Sequence, residues 1–267
     1  MKVASYLIWP MLRADKYPLM RMLQVLGLVL LCFTAAANAQ REPAVYAALA
    51  QQTAPAMPAV PSPPTIPKTG FLVVIDAAHG GGDASFPIGD KLAEKDVTLG
   101  FARRLSRELE GRGIAVRMLR NYDAAISDDQ RAVMANAAEP SLYISIHACS
   151  SGSGVHTFTA QVAPAASGSA FLPWNTAQAG YVRTSRSIAE AITTELLKRD
   201  IPAIALRAAV PPLNSIAAPA VALELAPPSG QPANQVNAEA YQQGIAAAVS
   251  VVIASKRFAL PRAGAAR

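Results

Sequence analysis

The sequence predicts an α/β domain in which a largely parallel sheet is covered by helices on both faces. Two observations support this fold class. Short, continuously apolar runs such as FLVVID at 71–76 and AVALELA at 220–226 have the composition of strands buried on both sides. Amphipathic helical patterns alternate with these runs along the chain. Strands that alternate with helices favour a layered α/β domain.

The first half of the domain shows this alternation most clearly. The patterns predict strand 71–76, helix 94–113, strand 114–119, helix 127–138 and strand 142–147. In the first helix the apolar residues recur every four positions, at Val97, Phe101, Leu105 and Leu109. Gly111 and Gly113 are expected to end that helix, and Ser127 or Asp128 to cap the next one.

The second half continues the pattern around a longer interruption. We predict strand 154–162, an irregular insert at 163–179, helix 184–199, a short strand within 203–209, strand 220–226 and a helix over about 233–256. The domain is therefore expected to span residues 70–257, followed by a basic tail at 258–267.

Residues 1–39 are predicted to be a secretory signal peptide. The almost wholly apolar run at 23–36 follows Arg21 and leads to the small-x-small cleavage pattern at 37–39. The run is short for a membrane span, and an uncleaved anchor is the alternative. The Ala-, Pro-, Gln- and Ser-rich segment 40–69 is expected to be a linker. We therefore expect export across the inner membrane to the periplasm or cell envelope, with membrane contact only through the signal peptide.

The charge and the cysteines narrow the functional classes. The formal net charge is +6, of which residues 1–39 contribute half through four basic side chains and one acidic one. The remaining basic residues are dispersed, so nucleic acid is not expected as a partner. Cleavage after residue 39 would leave Cys149 as the one cysteine, which cannot form an internal disulfide.

Two of the three histidines and two glutamates stand where a site is expected. His79 follows the first strand, His147 ends the third, and Glu224 lies near the end of the last. Ligands of open α/β sheets bind beyond these carboxyl ends. Glu94 begins a helix just after the glycine-rich loop 80–89. Two imidazoles and a carboxylate suit a zinc site with an open position, and a second carboxylate beside it can move protons.

Each of these residues also has a purely structural interpretation. His79 alone would be a turn histidine, Glu94 an acid stabilised by the helix dipole, and His147 a strand-end residue bonded to a loop. Glu224 is harder to explain in this way. A carboxylate within an apolar run is costly to bury unless it is paired, hydrogen-bonded or near a metal.

Six phrases then carry a family resemblance: VVIDAAHGGGD, EKDVTL, RGIAVRMLRNYD, RAVMANAA, LYISIHA and PAVALELA. In this order and at these separations they resemble the zinc-dependent N-acetylmuramoyl-L-alanine amidases, the amidase-3 type of cell-wall hydrolase, over roughly residues 71–255. The resemblance implies a single domain on a twisted, largely parallel sheet of about six strands. It also implies Zn²⁺ bound by His79, Glu94 and His147, with Glu224 as the catalytic residue.

The implied substrate is peptidoglycan, cleaved at the amide between N-acetylmuramic acid and L-alanine of the stem peptide. A protein activator is compatible with this family but leaves no sign in the sequence. Two alternatives stay open. One is a catalytically degenerate member that binds peptidoglycan or a partner, and the other is a zinc hydrolase of another amide.

The flanks of the site depart from the family pattern. Ala78 replaces the usual glycine before the first histidine, and alanine would strain the loop if that position needs a positive φ. Cys149 stands where asparagine is common, and residues 226–230 differ from the usual phrase after the catalytic glutamate. These changes put substrate preference and rate in question.

The remaining polar residues near the site receive secondary roles. Cys149 is interpreted as packing, with a nucleophile or a fourth zinc ligand as lesser alternatives. His156 is interpreted as peripheral, with substrate contact as the alternative. Asp76 and Asp83 are expected as hydrogen-bond partners of His79, and Asp83 has a simple turn role as its alternative.

Overall fold

The computed structural model describes residues 70–89, 92–162, 174–257 and 259–260. The predicted signal peptide and linker lie outside the described residues, as do most of the predicted basic tail and positions 163–173 of the predicted insert. Across the ranges that are described, no helix combines the length and the apolar character needed to cross a membrane.

Six strands form the main sheet, as predicted. They are β1 Leu72–Ala77, β4 Ala115–Met118, β5 Leu142–Ala148, β6 Val155–Ala160, β7 Ala203–Ala208 and β8 Ala220–Leu225, in the order β4-β1-β5-β8-β6-β7. The first four strands of that order are mutually parallel. β6 runs antiparallel to β8, and β7 runs parallel to β6. A separate two-stranded hairpin consists of β2 Pro87–Ile88 and β3 Leu92–Ala93.

Helices cover both faces of this sheet. They are α1 Glu94–Glu110, α2 Asp128–Ala137, α3 Val182–Leu197 and α4 Glu239–Lys256. Side chains alternate along β1, so that Val73 and Ile75 belong to one core and Leu72 and Val74 to the other. The first core includes α1, α3 and α4, and the second includes α2 and the 3-10 turn Leu213–Ser215. The fold-class prediction is confirmed.

The element boundaries differ modestly from the predictions. α1 ends at Glu110, since Gly111 caps it and Gly113 leaves the helical region at φ 71°. The last helix begins at Glu239, because a 3-10 turn at Ala233–Asn237 and an extended Ala238 precede it. Strand ends differ by at most two residues, and α3 starts two residues before the predicted position. The β2–β3 hairpin was not predicted, because two-residue strands leave no periodic signal.

Local sequence accounts well for the second helix. The Ser127 hydroxyl accepts from the Gln130 amide, and the Gln130 side chain in turn accepts from the Ser127 amide. This reciprocal capping box fixes where α2 starts. It matters for the site because α2 carries Arg131, which reaches the end of β1.

A candidate metal centre at the sheet edge

The carboxyl ends of β1, β5 and β8 lie side by side and carry the predicted site residues. His147 on β5 is the register partner of Glu224 on β8, and Ala78 just after β1 donates to the carbonyl of Ile146. His79 follows directly. Among the described residues, one group of side chains has metal-ligand geometry, and it consists of His79, Glu94 and His147.

The spacing within this group is that of ligands around an ion. Glu94 Oε1 lies 3.4 Å from His79 Nε2 and 3.4 Å from His147 Nδ1. Both separations exceed the usual 2.7–3.2 Å of an N–H···O hydrogen bond. Two ligands held about 2.1 Å from a tetrahedral zinc ion are about 3.4 Å apart. The nitrogen, oxygen and nitrogen donors therefore fit zinc, and three protein ligands leave a fourth position open.

His147 faces Glu94 with its Nδ1 atom. Among the described residues this 3.4 Å approach is the one polar contact of the ring, since the buried Nε2 atom has no hydrogen-bond partner there. A metal between Nδ1 and Glu94 would tether the ring, and it would leave Nε2 without a partner from the described residues.

The β2–β3 hairpin positions Glu94 within the cluster. The Glu94 amide donates to the carbonyl of Phe86 at 3.3 Å, so the hairpin closes where α1 begins. Oε2 accepts from the Ser85 hydroxyl at 2.5 Å, and Oε1 accepts from the Ala148 amide at 3.1 Å. The side chain is only 5% exposed. An acid that served only the helix dipole would point to solvent, so Glu94 has a further role.

These contacts decide the charge of Glu94. Burial by itself would raise the pKa of this carboxyl. The contacts with His147 and His79, and the hydrogen bonds from Ser85 and the backbone, outweigh burial and hold the pKa well below its usual range. Glu94 is therefore ionised, as a metal ligand must be.

The loop after β1 aims the first histidine. His79 adopts a left-handed φ of 61°. This conformation costs a non-glycine residue about 1–2 kcal/mol relative to the right-handed one. Its Nδ1 lies 2.8 Å from Asp83 Oδ2, so Nε2 faces Glu94. The predicted Asp83 contact is confirmed, and a carboxylate on the far nitrogen is the usual support of a metal-bound histidine. The contact with Glu94, with a smaller contribution from Asp83, raises the pKa of His79.

The condition for strain at Ala78 is not met. Ala78 does not have a positive φ, because it continues the hydrogen bonding of β1 through its amide to Ile146. Its carbonyl accepts from Thr98 at 2.9 Å. The left-handed residue is the histidine itself, so alanine at position 78 is compatible with the loop.

Two buried arginines hold the three carbonyls that lead into this loop. Arg120 donates to the carbonyls of Ala77 at 2.8 Å and Ala78 at 3.0 Å. Arg131 donates to the carbonyls of Ala77 at 2.9 Å and His79 at 2.8 Å. The two guanidinium groups therefore fix the backbone conformation that presents His79.

Asp76 supports this arrangement in a different way from the one predicted. Its carboxylate accepts from Arg131 and, at 2.5 Å, from the Tyr143 hydroxyl, and it does not contact His79. Asp76 is 1% exposed and Arg131 is 3% exposed. Asp76 therefore acts on the site through Arg131. This role could not be predicted from the sequence, because it depends on α2 packing against the sheet so that Arg131 reaches Asp76.

The glycines fix the path of the loop. A Cβ atom at Gly80 would lie 2.2 Å from the carbonyl oxygen of Ala124, so no side chain fits there. Lys95 donates to the Gly81 carbonyl at 2.8 Å and to Asp123 at 2.7 Å. Asp123 in turn accepts from the Gly81 amide at 2.6 Å. This set of contacts ties the loop to the start of α1.

Glu224 has a partner that the sequence interpretation underrated. His156 Nδ1 lies 2.8 Å from Glu224 Oε1, and both side chains are about one-third exposed or less. His156 therefore contacts a predicted site residue, which its interpretation as peripheral did not anticipate. Because β6 runs antiparallel beside β8, His156 stands directly opposite Glu224. The alternation in GVHTFTA left the orientation of His156 open, and only the strand pairing settles it.

Cys149 is not part of the metal-type cluster. Its thiol donates to the Ser151 carbonyl at 3.1 Å. Burial, with a smaller contribution from the negative charge of Glu224, raises the pKa of this thiol to about 11. A nucleophile needs the thiolate, so the raised pKa argues against that role. The ligand atoms of the metal-type group come from His79, Glu94 and His147, which argues against Cys149 as a fourth zinc ligand.

An opening lies beside the cluster. A cavity of about 290 Å³ is lined by His79, His147, Arg131 and Pro211–Pro212, among others. Strand order places His147 between the strand that precedes His79 and the strand that carries Glu224. The arrangement thus provides space for a ligand, a group of metal ligands and a nearby carboxylate at one edge of the sheet.

Comparison with known proteins agrees with this picture. A family model described as N-acetylmuramoyl-L-alanine amidase matches residues 73–255, well over half of the chain. The germination-specific N-acetylmuramoyl-L-alanine amidase of Bacillus subtilis is 35% identical over 99 residues. That stretch covers 32% of this chain and 41% of the relative, so the chain spans about two fifths of the relative's length.

Solved structures share the fold. The amidase Ami1 from Mycobacterium smegmatis superposes with a TM-score of 0.55 at 22% identity, over 72% of this chain and 99% of that one. The CwlD amidase from Clostridioides difficile, solved in complex with the GerS lipoprotein, gives 0.53 at 18% identity, over 71% and 99%. With the family match over residues 73–255, the chain belongs to the N-acetylmuramoyl-L-alanine amidase family.

Proposed function

We propose that this protein is a zinc-dependent peptidoglycan hydrolase. In this proposal it cleaves the amide between N-acetylmuramic acid and L-alanine of the stem peptide, with His79, Glu94 and His147 as zinc ligands and Glu224 as the proton carrier. The observation that carries it is the cluster of three ligand atoms at zinc-like spacing, with Glu224 in register beside His147. Family membership supplies the substrate class.

Zinc, when bound by these residues, supplies the Lewis acidity that makes an amide carbonyl more electrophilic and lowers the pKa of water. Glu224 accepts a proton from the attacking water and transfers it to the leaving nitrogen. A carbon–oxygen bond forms, and the carbon–nitrogen bond breaks. The products are the carboxylate of the muramic acid and the free amine of the L-alanyl peptide.

The chain's own residues supply the remaining requirements. Asp83 fixes the orientation of the His79 ring, and the hydrogen bonds from Ser85 and Ala148 orient Glu94. The cavity beside His79 and His147 admits the substrate. Reacting groups held in one geometry avoid much of the entropy cost of bringing them together.

The proposed location follows from the substrate. Peptidoglycan lies outside the inner membrane, so the protein must be exported, and residues 1–39 have the composition of an export signal. We propose residues 40–69 as the linker, 70–257 as the catalytic domain and 258–267 as a tail. Since CwlD forms a complex with the GerS lipoprotein, a protein partner is also part of the proposal.

Product analysis tests the activity. Purified, zinc-loaded protein is incubated with intact peptidoglycan, and the soluble products are identified by mass spectrometry. Free stem peptides that begin with an L-alanine amine are the expected result. Peptides freed at another bond would indicate a hydrolase of a different amide. Absence of released peptides at full zinc occupancy would indicate a binding protein and would contradict the proposal.

Two variants test the assigned roles. Glu224→Gln should retain zinc in metal analysis but lose nearly all turnover, because the amide side chain cannot accept the proton. His79→Ala should lose zinc. Ile204→Ala, at a half-exposed position on β7, is the matched control and should behave as wild type in both assays. Zinc loss in Glu224→Gln, or its full activity, would overturn the role assignment.

A further inference from the structure

We propose that His156 is a positioning residue for the reaction, and that it acts by holding one carboxylate oxygen of Glu224 so that the other oxygen carries the proton. This inference rests on the proposed function. It assigns a role to a side chain outside the metal-ligand cluster. The carrying observation is the 2.8 Å contact between His156 Nδ1 and Glu224 Oε1.

Strand pairing makes this contact a built feature of the sheet. Glu224 on β8 is the register partner of His147 on β5 and, on its other side, of His156 on β6. The three residues form a row across adjacent strands, and register partners point to the same face. The row ends at Ile204 on β7, which is the register partner of His156. The sheet therefore places the carboxylate between a metal-ligand histidine and a second histidine.

The chemistry of the pair fixes where its proton lies. An ionised carboxylate only accepts hydrogen bonds, so His156 Nδ1 must carry the hydrogen when Glu224 is ready to act as a base. The imidazole is then a donor to Oε1. A hydrogen bond to an ionised group is roughly twice as strong as one between neutral groups, so it holds the rotamer of the glutamate firmly.

The imidazole is itself held in place. Its ring meets the Phe158 ring edge to face, with centroids 6.3 Å apart. The His156 side chain is 26% exposed and the Glu224 side chain 31%. A partly exposed glutamate without a fixed partner would sample several rotamers, and the hydrogen bond with His156 restricts them.

The two oxygens of the Glu224 carboxylate therefore have different roles. Oε1 is committed to His156, and Oε2 takes the proton from the water and passes it to the leaving nitrogen. His156 touches neither the water nor the amide. Its loss should therefore affect the chemical step and leave substrate binding nearly unchanged.

The test uses zinc-loaded protein and a soluble muramoyl-L-alanyl peptide, with kcat and KM measured separately. His156→Ala should lower kcat by roughly ten- to a hundredfold, the range seen when an orienting partner is removed, with KM within about twofold of wild type. His156→Asn places an amide donor near the position of Nδ1 and should regain most of the lost kcat. Ile204→Ala, the register neighbour on β7, should match wild type.

Zinc content and the melting temperature are recorded for every variant. If His156→Ala does not fold, His156→Phe keeps the ring and its packing but lacks the donor, and the same fall in kcat is expected. Wild-type kcat in the variant that lacks the donor would overturn the inference, and so would zinc loss or an Asn variant as slow as the Ala variant. An inactive wild type would contradict the proposed function itself, whereas an active wild type with an equally active variant contradicts this inference alone.

Discussion

Replacing Arg131 with methionine should destabilise the metal-free protein by about 3–5 kcal/mol, because it removes the cation that is hydrogen-bonded to the buried Asp76 carboxylate. Both side chains are almost fully buried, at 3% and 1% exposure. The guanidinium also donates to the carbonyls of Ala77 and His79. Methionine fills a similar volume, so the loss reports the polar contacts and not a cavity.

The assay is urea unfolding followed by circular dichroism, with a chelator present so that zinc binding does not contribute. Val133→Ala is the matched control on the same helix, because Val133 is 59% exposed and surface changes are usually within about 0.5 kcal/mol. The double variant with Asp76→Asn should recover about 1–2 kcal/mol, since the unpaired charge is gone and residues in direct contact couple by that order.

Two results would refute this reasoning. One is an Arg131→Met protein within about 1 kcal/mol of wild type, which is too small for an unpaired buried charge. The other is a double variant as unstable as the sum of the single ones, which would show that the ion pair is not the source of the loss.

Three further predictions concern the loop and its neighbours. Gly80→Ala should destabilise the fold by more than about 2 kcal/mol in urea unfolding, since its Cβ would lie 2.2 Å from a backbone carbonyl oxygen. In the control Gly82→Ala, the Cβ meets nothing within 4 Å, and stability should change by about 1 kcal/mol or less. In metal-free protein, Cys149 should react slowly with iodoacetamide at pH 8 and faster towards pH 11, because burial raises its pKa to about 11; rapid reaction at pH 8 would contradict that environment. The contact with Glu94 raises the pKa of His79 above 6.5. In the metal-free protein, His79 should therefore add its full contribution to the free energy of unfolding below pH 6.5, and this contribution should be lost as the pH rises through the raised pKa. Urea unfolding of the wild type and of His79→Gln at pH 6 and pH 8 isolates that contribution.

The strands and helices were readable because their patterns are local. The apolar run of β1 and the four-residue repeat of α1 each predict a buried element from one short stretch of sequence. Ser127 predicted the start of α2 in the same way, and the structure shows its capping box. The β2–β3 hairpin has no such stretch and was missed.

The predicted site residues converge because each stands at the end of a parallel strand or at the start of a helix beside it. The partners of these residues were less accessible. His156 required knowledge that β6 is antiparallel to β8, and Arg131 required knowledge that α2 packs over the end of β1. Pairing direction and helix placement are tertiary facts, and no local period encodes them. The conformation of Ala78 was left open by the sequence for a related reason, since φ at one position depends on where β1 stops pairing.

The capture of backbone carbonyls by Arg120 and Arg131 has a consequence for the life of the protein in a zinc-poor environment. The loop that presents His79 is anchored by cations that belong to the chain, whereas small zinc-finger domains unfold without their ion. Under the proposed zinc dependence, folding and metal loading would therefore be separable events. Scarcity of zinc would then stop the proposed reaction without releasing an unfolded chain to proteases, and resupply would restore it without refolding.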